Sequence, residues 1–263
     1  MKSRKEQLES FEQLLDIMDE LREKCPWDQK QTLESLRKLT IEEVYELGDA
    51  ILRSNLGEVK KELGDLLLHI VFYAKIGSES KSFDIGDVIN NLNDKLIYRH
   101  PHVFGEIQVN SAREVEQNWE ALKLKEKDRG QRVLEGVPDA LPALVKANRI
   151  QEKARGVGFD WEEKEQVWDK VKEELAEFEM EVRAKNHQNM EHELGDLIFS
   201  IVNAARLYDL DPESALERTN QKFIRRFNHL EEQTLLKGKS LHAMSLSEMD
   251  FYWEEAKKGE KGV

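Results

Sequence analysis

Two stretches of this chain, KELGDLLLHIV and HELGDLIFSIV, carry the same Glu-Leu-Gly-Asp unit running into an apolar segment. An offset of 131 residues places Glu42, Glu43 and Glu46 on Glu173, Glu174 and Glu177, and Glu62 and Asp65 on Glu193 and Asp196. An offset of 127 brings Asn93, Lys95 and Arg99 onto Asn220, Lys222 and Arg226, and one of 134 brings Trp119-Glu120 onto Trp253-Glu254. Self-similarity at one long period is the mark of a duplicated folding unit. The chain therefore folds as two related domains, expected over residues 1–130 and 142–263. The seam falls at 131–141, within a stretch where Gly130, Gly136, Pro138 and Pro142 interrupt helical periodicity.

The fold class expected is all-α, a tandem repeat of two helical bundles. Apolar residues recur at helical intervals over Leu36–Arg53 and Val167–Ala184. The polar turns RSNLGE and AKNHQN follow, and then second helices from about Val59 to Lys75 and from about Met190 to Tyr208. Connections this short make antiparallel helical hairpins. With 263 residues, 39% of them hydrophobic, each half can bury an ordinary core, and 35% charged residues suits helices with heavily charged outer faces.

Charge and cysteine usage narrow the function. A net charge of −13 argues against nucleic acid as a partner, because such binding needs a basic stripe that displaces counterions. The single Cys25 cannot form an internal disulfide and fits a reducing compartment. The first fifteen residues read as an amphipathic helix rather than a leader or anchor, and no apolar run is long enough to span a bilayer. A cytoplasmic location and no membrane partner are the expectations.

The acids carry the chemistry. With 53 Asp and Glu among 263 residues, an isolated EExxE should arise by chance about twice and an acid pair spaced by three about ten times. Neither means much alone. EExxE, fifteen residues, then ExxD, written twice in register, is a different matter. Residues three apart share a helix face, so each hairpin can oppose Glu43 and Glu46 to Glu62 and Asp65, or Glu174 and Glu177 to Glu193 and Asp196. Four crowded carboxylates repel unless a cation compensates them, and an all-oxygen set suits Mg²⁺, with Mn²⁺ as a substitute, better than zinc. Other EE runs, such as Glu162-Glu163, read as solvated helix faces. Glu42 and Glu173 stand open between a supporting role and simple exposure. Gly64 and Gly195 each cost about 1 kcal/mol in a helix relative to Ala, and close helix packing is the structural explanation.

Lys222, Arg225 and Arg226 cluster within about one helical turn, and Lys95 and Arg99 repeat that spacing. Acidic neighbours such as Glu217 and Glu231 explain them in one reading. A phosphate explains them in the other, with Arg as a fork and Lys as a point charge. Trp253 belongs either to a core or to a base-stacking surface. A carboxylate-bridged di-iron bundle is disfavoured, because no His follows a Glu at the spacing that such sites require. A non-catalytic helical regulator that binds nucleotides or proteins remains the alternative to an enzyme, for one half or both.

These residues resemble the MazG-type all-α nucleoside triphosphate pyrophosphohydrolases. The resemblance runs from about Leu14 to Lys257 through CPWDQKQT, TIEEVYEL, KELGDLLLHIVFYA, RHPHVF at Arg99–Phe104, GFDW and KFIRRF. It implies hydrolysis of a nucleoside triphosphate to the monophosphate and diphosphate, with broad base tolerance and a role in cleansing nucleotide pools. By position it implies that Glu174, Glu177, Glu193 and Asp196 are catalytic and hold Mg²⁺, as Glu43, Glu46, Glu62 and Asp65 do in the first half. It further implies that Lys222 and Arg226, with Arg225 and the earlier Lys95 and Arg99 as companions, hold phosphates, that Trp253 lies near the base, and that the protein is a homodimer.

Overall fold

A computed structural model of the protein describes residues 1–105, 107, 109, 111, 114–115, 122, 132–236, 238 and 240–259. Among these residues the chain is all-α, and it divides into two compact units, Met1–Lys123 and Leu124–Val263.

The first unit contains α1 (Arg4–Lys24), α2 (Leu33–Leu52), α3 (Leu56–Glu79), α4 (Ile85–Arg99) and the single turn α5 (Pro101–Phe104). Ser3, Thr32 and Asp84 each accept a hydrogen bond from the amide three residues on, and Glu6, Ser35 and Asp87 return it. These are capping boxes, which satisfy amides that a helix start otherwise leaves unpaired. α3 packs against α1, α2 and α4. Met18, Leu36, Val71 and Phe72 form the buried centre, with Phe11, Leu14, Leu15, Leu39, Leu68, Tyr73 and Ile76 around it.

The second unit contains α6 (Ala143–Arg155), α7 (Val167–Ala184), α8 (His187–Leu207), α9 (Pro212–Leu236) and α10 (Leu246–Gly259). α8 packs against α6, α7 and α9, and α10 lies along α9. Val167, Val202, Ala204 and Leu230 are its buried apolar residues.

Both long hairpins turn in the same way. Ser54 and Lys185, equivalent in the repeat, adopt the left-handed conformation with φ of 54° and 56°. The Asn55 amide bonds to the Ala50 carbonyl at 3.0 Å and the Ser54 amide to Ile51 at 2.9 Å. In the second hairpin Asn186 bonds to Glu181 and Lys185 to Val182, both at 3.2 Å. This six-to-one and five-to-two pattern closes a helix with its last carbonyls paired. Asn55 and Asn186 then cap the next helix through their side-chain oxygens. The second helix of each hairpin consequently starts three residues before the expected Val59 and Met190, because the asparagine converts the apparent end of the turn into a first helical turn.

Candidate functional site

Each hairpin brings carboxylates from its two helices to one point. One oxygen from each of Glu43, Glu62 and Asp65 lies within 4.8 Å of the others, and Glu174, Glu177 and Glu193 form the matching group. Three of the four expected acids are gathered in each half, but not the same three. Glu46 lies outside the first group and Asp196 outside the second, both on exposed surface one helical turn away. Two acids three apart on a helix differ by about 60° in direction, so one of a pair can point inward while the other leans aside.

Burial makes these groups costly unless they are compensated. Glu62 is only 3% exposed and Glu174 only 7%. Oε2 of Glu62 is buried with no hydrogen-bond partner, while its Oε1 accepts from Lys61 Nζ at 2.9 Å. Burial, followed by the negative charges of Asp65, Glu46 and Glu62, pushes the Glu43 carboxyl above the usual carboxylate range. Glu177 is pushed up similarly, by desolvation and then by Glu174, Glu193 and Glu173. An unsatisfied buried carboxylate oxygen inside an all-oxygen cluster that resists its own ionisation is what a hard divalent cation would relieve. The residues fit such an ion.

Several neighbours of the clusters escaped the sequence reading. Lys170, one turn before Glu174 on α7, lies 2.7 Å from Glu174 and 2.8 Å from Glu173. Hydrogen bonds to Glu173 and Glu174 raise its pKa, so it stays charged. Its i, i+4 spacing to Glu174 was the available signal. His69, one turn beyond Asp65, is buried with Nδ1 unpartnered. Burial pushes its pKa down, and the Asp65 charge opposes that.

Two arginines, Arg206 buried and Arg22 partly so, fasten the loops that lead into the hairpins. Arg22 pairs with Glu79 through two bonds of 2.8 and 2.6 Å, donates to the carbonyls of Asp28 and Gln31, and lies over the Phe72 ring. This holds the CPWD segment against α1 and α3. Arg206, 8% exposed on α8, forks onto both carboxylate oxygens of Asp160 in GFDW and is braced by Asn203. In both halves a Trp-and-Asp loop is fixed by a guanidinium, though by different partners.

The basic and aromatic residues fall as follows. Lys222, Arg225 and Arg226 lie on α9, which packs against the α8 helix bearing Glu193 and Asp196. Lys95 and Arg99 lie near the end of α4, which packs on α3, the carrier of Glu62 and Asp65. Trp253, on α10, has the Arg226 guanidinium 5.7 Å from its ring centre and Phe223 tilted against it at 5.0 Å. Trp119 and Glu120 lie outside the described residues, as does Gly130.

The glycines correct one expectation. A Cβ built at Gly64 or at Gly195 meets nothing within 4 Å, so packing within the described chain does not demand glycine at either place. Gly195→Ala should therefore stabilise α8 by about 0.5–1 kcal/mol in urea unfolding, since only the entropic cost of glycine is removed.

Among the described residues no helix is long and apolar enough to cross a membrane. The model of the MazG nucleotide pyrophosphohydrolase domain matches the chain twice, at residues 31–104 and 162–231, which contain the two acid-bearing hairpins. The chain is 46% identical to a Thermotoga maritima protein named nucleoside triphosphate pyrophosphohydrolase/pyrophosphatase MazG, over 95% of this chain and 97% of that protein. It is 38% identical to the nucleoside triphosphate pyrophosphohydrolase of Escherichia coli K12, over 96% and 99% of the two chains. It is also 44% identical to the Bacillus subtilis protein YabN, across 95% of this chain and 52% of that one. With two domain matches placed on two equivalent hairpins, this chain belongs to the MazG nucleotide pyrophosphohydrolase family.

Proposed function

We propose that this protein is a Mg²⁺-dependent nucleoside triphosphate pyrophosphohydrolase of broad base tolerance that clears unwanted nucleotides in the cytoplasm. The observation that carries the reading is the pair of three-carboxylate clusters, each assembled across a hairpin and each containing a buried glutamate. Glu174, Glu177, Glu193 and Asp196 hold the cation in the second half, and Glu43, Glu46, Glu62 and Asp65 in the first. The bound cation supplies charge neutralisation for the triphosphate and acidifies water.

The remaining chemistry belongs to the chain. Lys222, Arg225 and Arg226 hold the phosphates and offset charge developing on the leaving diphosphate. Trp253 lies beside the base, which would share the ring with Arg226 and Phe223. A water oxygen bonds to the α-phosphorus as the bond from that phosphorus to the α,β-bridging oxygen breaks. A neighbouring glutamate takes the water's proton. Lys95 and Arg99 are the corresponding cations of the first half. The second half is the working one, because KFIRRF carries one more arginine than KLIYRH. The functional protein is a homodimer whose domains span 1–130 and 142–263 with a 131–141 linker.

The test is a panel of nucleoside triphosphates incubated with and without Mg²⁺ while monophosphate and diphosphate are followed. Equimolar monophosphate and diphosphate, formed only with the metal, is the expected outcome. Release of orthophosphate, or no turnover with either Mg²⁺ or Mn²⁺, refutes it. Full activity of Glu177→Ala beside an inactive Glu46→Ala would transfer the working site to the first half.

A further inference from the structure

The two acid clusters are equivalent by repeat, yet the ammonium groups that neutralise them are not. In the first half Lys61, on α3, bonds to Oε1 of Glu62 at 2.9 Å, and the other oxygen of Glu62 has no partner. In the second half Lys170, on α7, is gripped by Glu173 at 2.8 Å and Glu174 at 2.7 Å together. The positions equivalent to Lys61 and Lys170 are His192 and Leu39, so neither lysine has a counterpart in the other half.

We infer that Lys61 and Lys170 are tethered counterions that compete with the divalent cation, and that they set different metal affinities in the two halves, with the second half filling last. The inference rests on the metal reading of the clusters given above.

Charge and geometry set the order. A dication taken up by Glu174 would be repelled by the Lys170 ammonium that Glu174 already holds. To make room, Lys170 must give up its charge-assisted hydrogen bond to Glu174, and its second bond, to Glu173, keeps the ammonium anchored beside the cluster. Lys61 is held by Glu62 alone in its ion pairing. Its side chain is 60% exposed against 38% for Lys170, so it can rehydrate easily, and Oε2 of Glu62 is already open to an ion.

Free Mn²⁺ followed by electron paramagnetic resonance, titrated into the full chain after chelation and desalting, measures this directly. The wild type should show a tighter and a weaker class of site. Glu62→Gln should remove the tighter class and Glu174→Gln the weaker. Lys170→Met should tighten the weaker class about tenfold, and Lys61→Met should tighten the other by less. Lys170→Gln gives the same reading if the methionine variant folds poorly. Melting provides a second readout. Lys170→Met should melt below the wild type in chelator and match it in saturating Mn²⁺. A deficit that persists with metal marks a merely structural lysine and overturns the inference. So does an unchanged or weakened second class in Lys170→Met, or loss of the weaker class in Glu62→Gln. If the wild type binds no Mn²⁺ at all, the metal reading falls and takes this inference with it. Binding that is indifferent to both lysines sinks the inference alone.

Discussion

Replacing Glu177 by glutamine should reduce metal-dependent diphosphate release at least about a hundredfold while raising the melting temperature of the metal-free protein. The two effects share one cause. Desolvation and the charges of Glu174, Glu193 and Glu173 push the Glu177 carboxyl above the range it would have in an unfolded chain. Between its ordinary and its raised value, the folded protein binds more protons than the unfolded one, so stability falls as pH rises through that window. Glutamine removes the charge, keeps the shape, and removes the penalty. It also removes a ligand of the cation. In chelator, Glu43 and Glu177 should therefore favour the folded state more as the pH falls from above their raised values toward the ordinary glutamate range, because there they take up protons more readily than in the unfolded chain. Glu177→Gln should show a shallower slope, and saturating Mg²⁺ should flatten the wild-type slope by supplying the missing positive charge. A glutamate serving only as a solvated helix face would change neither activity nor slope. Loss of activity accompanied by lower metal-free stability would contradict this account, because it would mean that Glu177 supports the fold instead of straining it.

The opposed signs are informative because the site works against the fold it belongs to. Crowded carboxylates are poor for stability and good for holding a cation, and sites of that kind carry a stability cost that function requires. The sequence made this much legible. Acids spaced by three on two helices, joined by a short turn, have few other arrangements once the hairpin closes, and duplication ruled out chance. What it could not convey is which acids lean inward. Glu62 and Asp65 both join the first cluster, whereas Glu193 joins the second without Asp196. That choice depends on helix rotation and side-chain torsions, which an identical motif leaves open. The helix starts were misplaced for a local reason. Leu56 and His187 follow asparagines that cap, and only the left-handed Ser54 and Lys185 reveal that the turn is already over. Lys170 was passed over for a third reason. In a chain with 40 Lys and Arg and 53 Asp and Glu, an i, i+4 pair of opposite sign is ordinary. Lys170 becomes distinctive only when Glu174 proves to be buried. Gly64 and Gly195 show the reverse case, a sequence feature whose simplest structural explanation fails once the space around each is measured.

Arg206→Met should destabilise the second unit by about 2–3 kcal/mol in urea unfolding, the largest stability change expected of any single replacement discussed. Arg206 is buried, and its guanidinium donates to both oxygens of Asp160 while Asn203 accepts from its Nε and Nη2. Burial works against a charge on Asp160. The hydrogen bonds from Arg206 and from the Trp161 amide, with the charges of Arg206 and Arg155, outweigh it and hold the carboxyl below its usual range. Stability from this group is therefore present above the ordinary aspartate range and is lost as the pH falls through the depressed value. Removing the guanidinium leaves a partly buried carboxylate without its main partner, which is why one deletion costs more than the net worth of the pair. Methionine keeps much of the apolar volume and so limits any cavity contribution. The consequence reaches the site, because Arg206 is on the α8 helix that carries Glu193, and Asp160 lies in the loop just before the α7 helix that carries Glu174 and Glu177. Releasing that clamp should weaken Mn²⁺ binding to the weaker class of site even at temperatures where the variant is still folded. Asp160→Asn, which keeps one acceptor for Arg206, should lose less stability and flatten the acid limb of the pH profile. If Arg206→Met unfolds like the wild type, the loop is fixed by its neighbours and the fork is ornamental. If it is destabilised but binds Mn²⁺ normally, the clamp supports the fold without aligning the carboxylates.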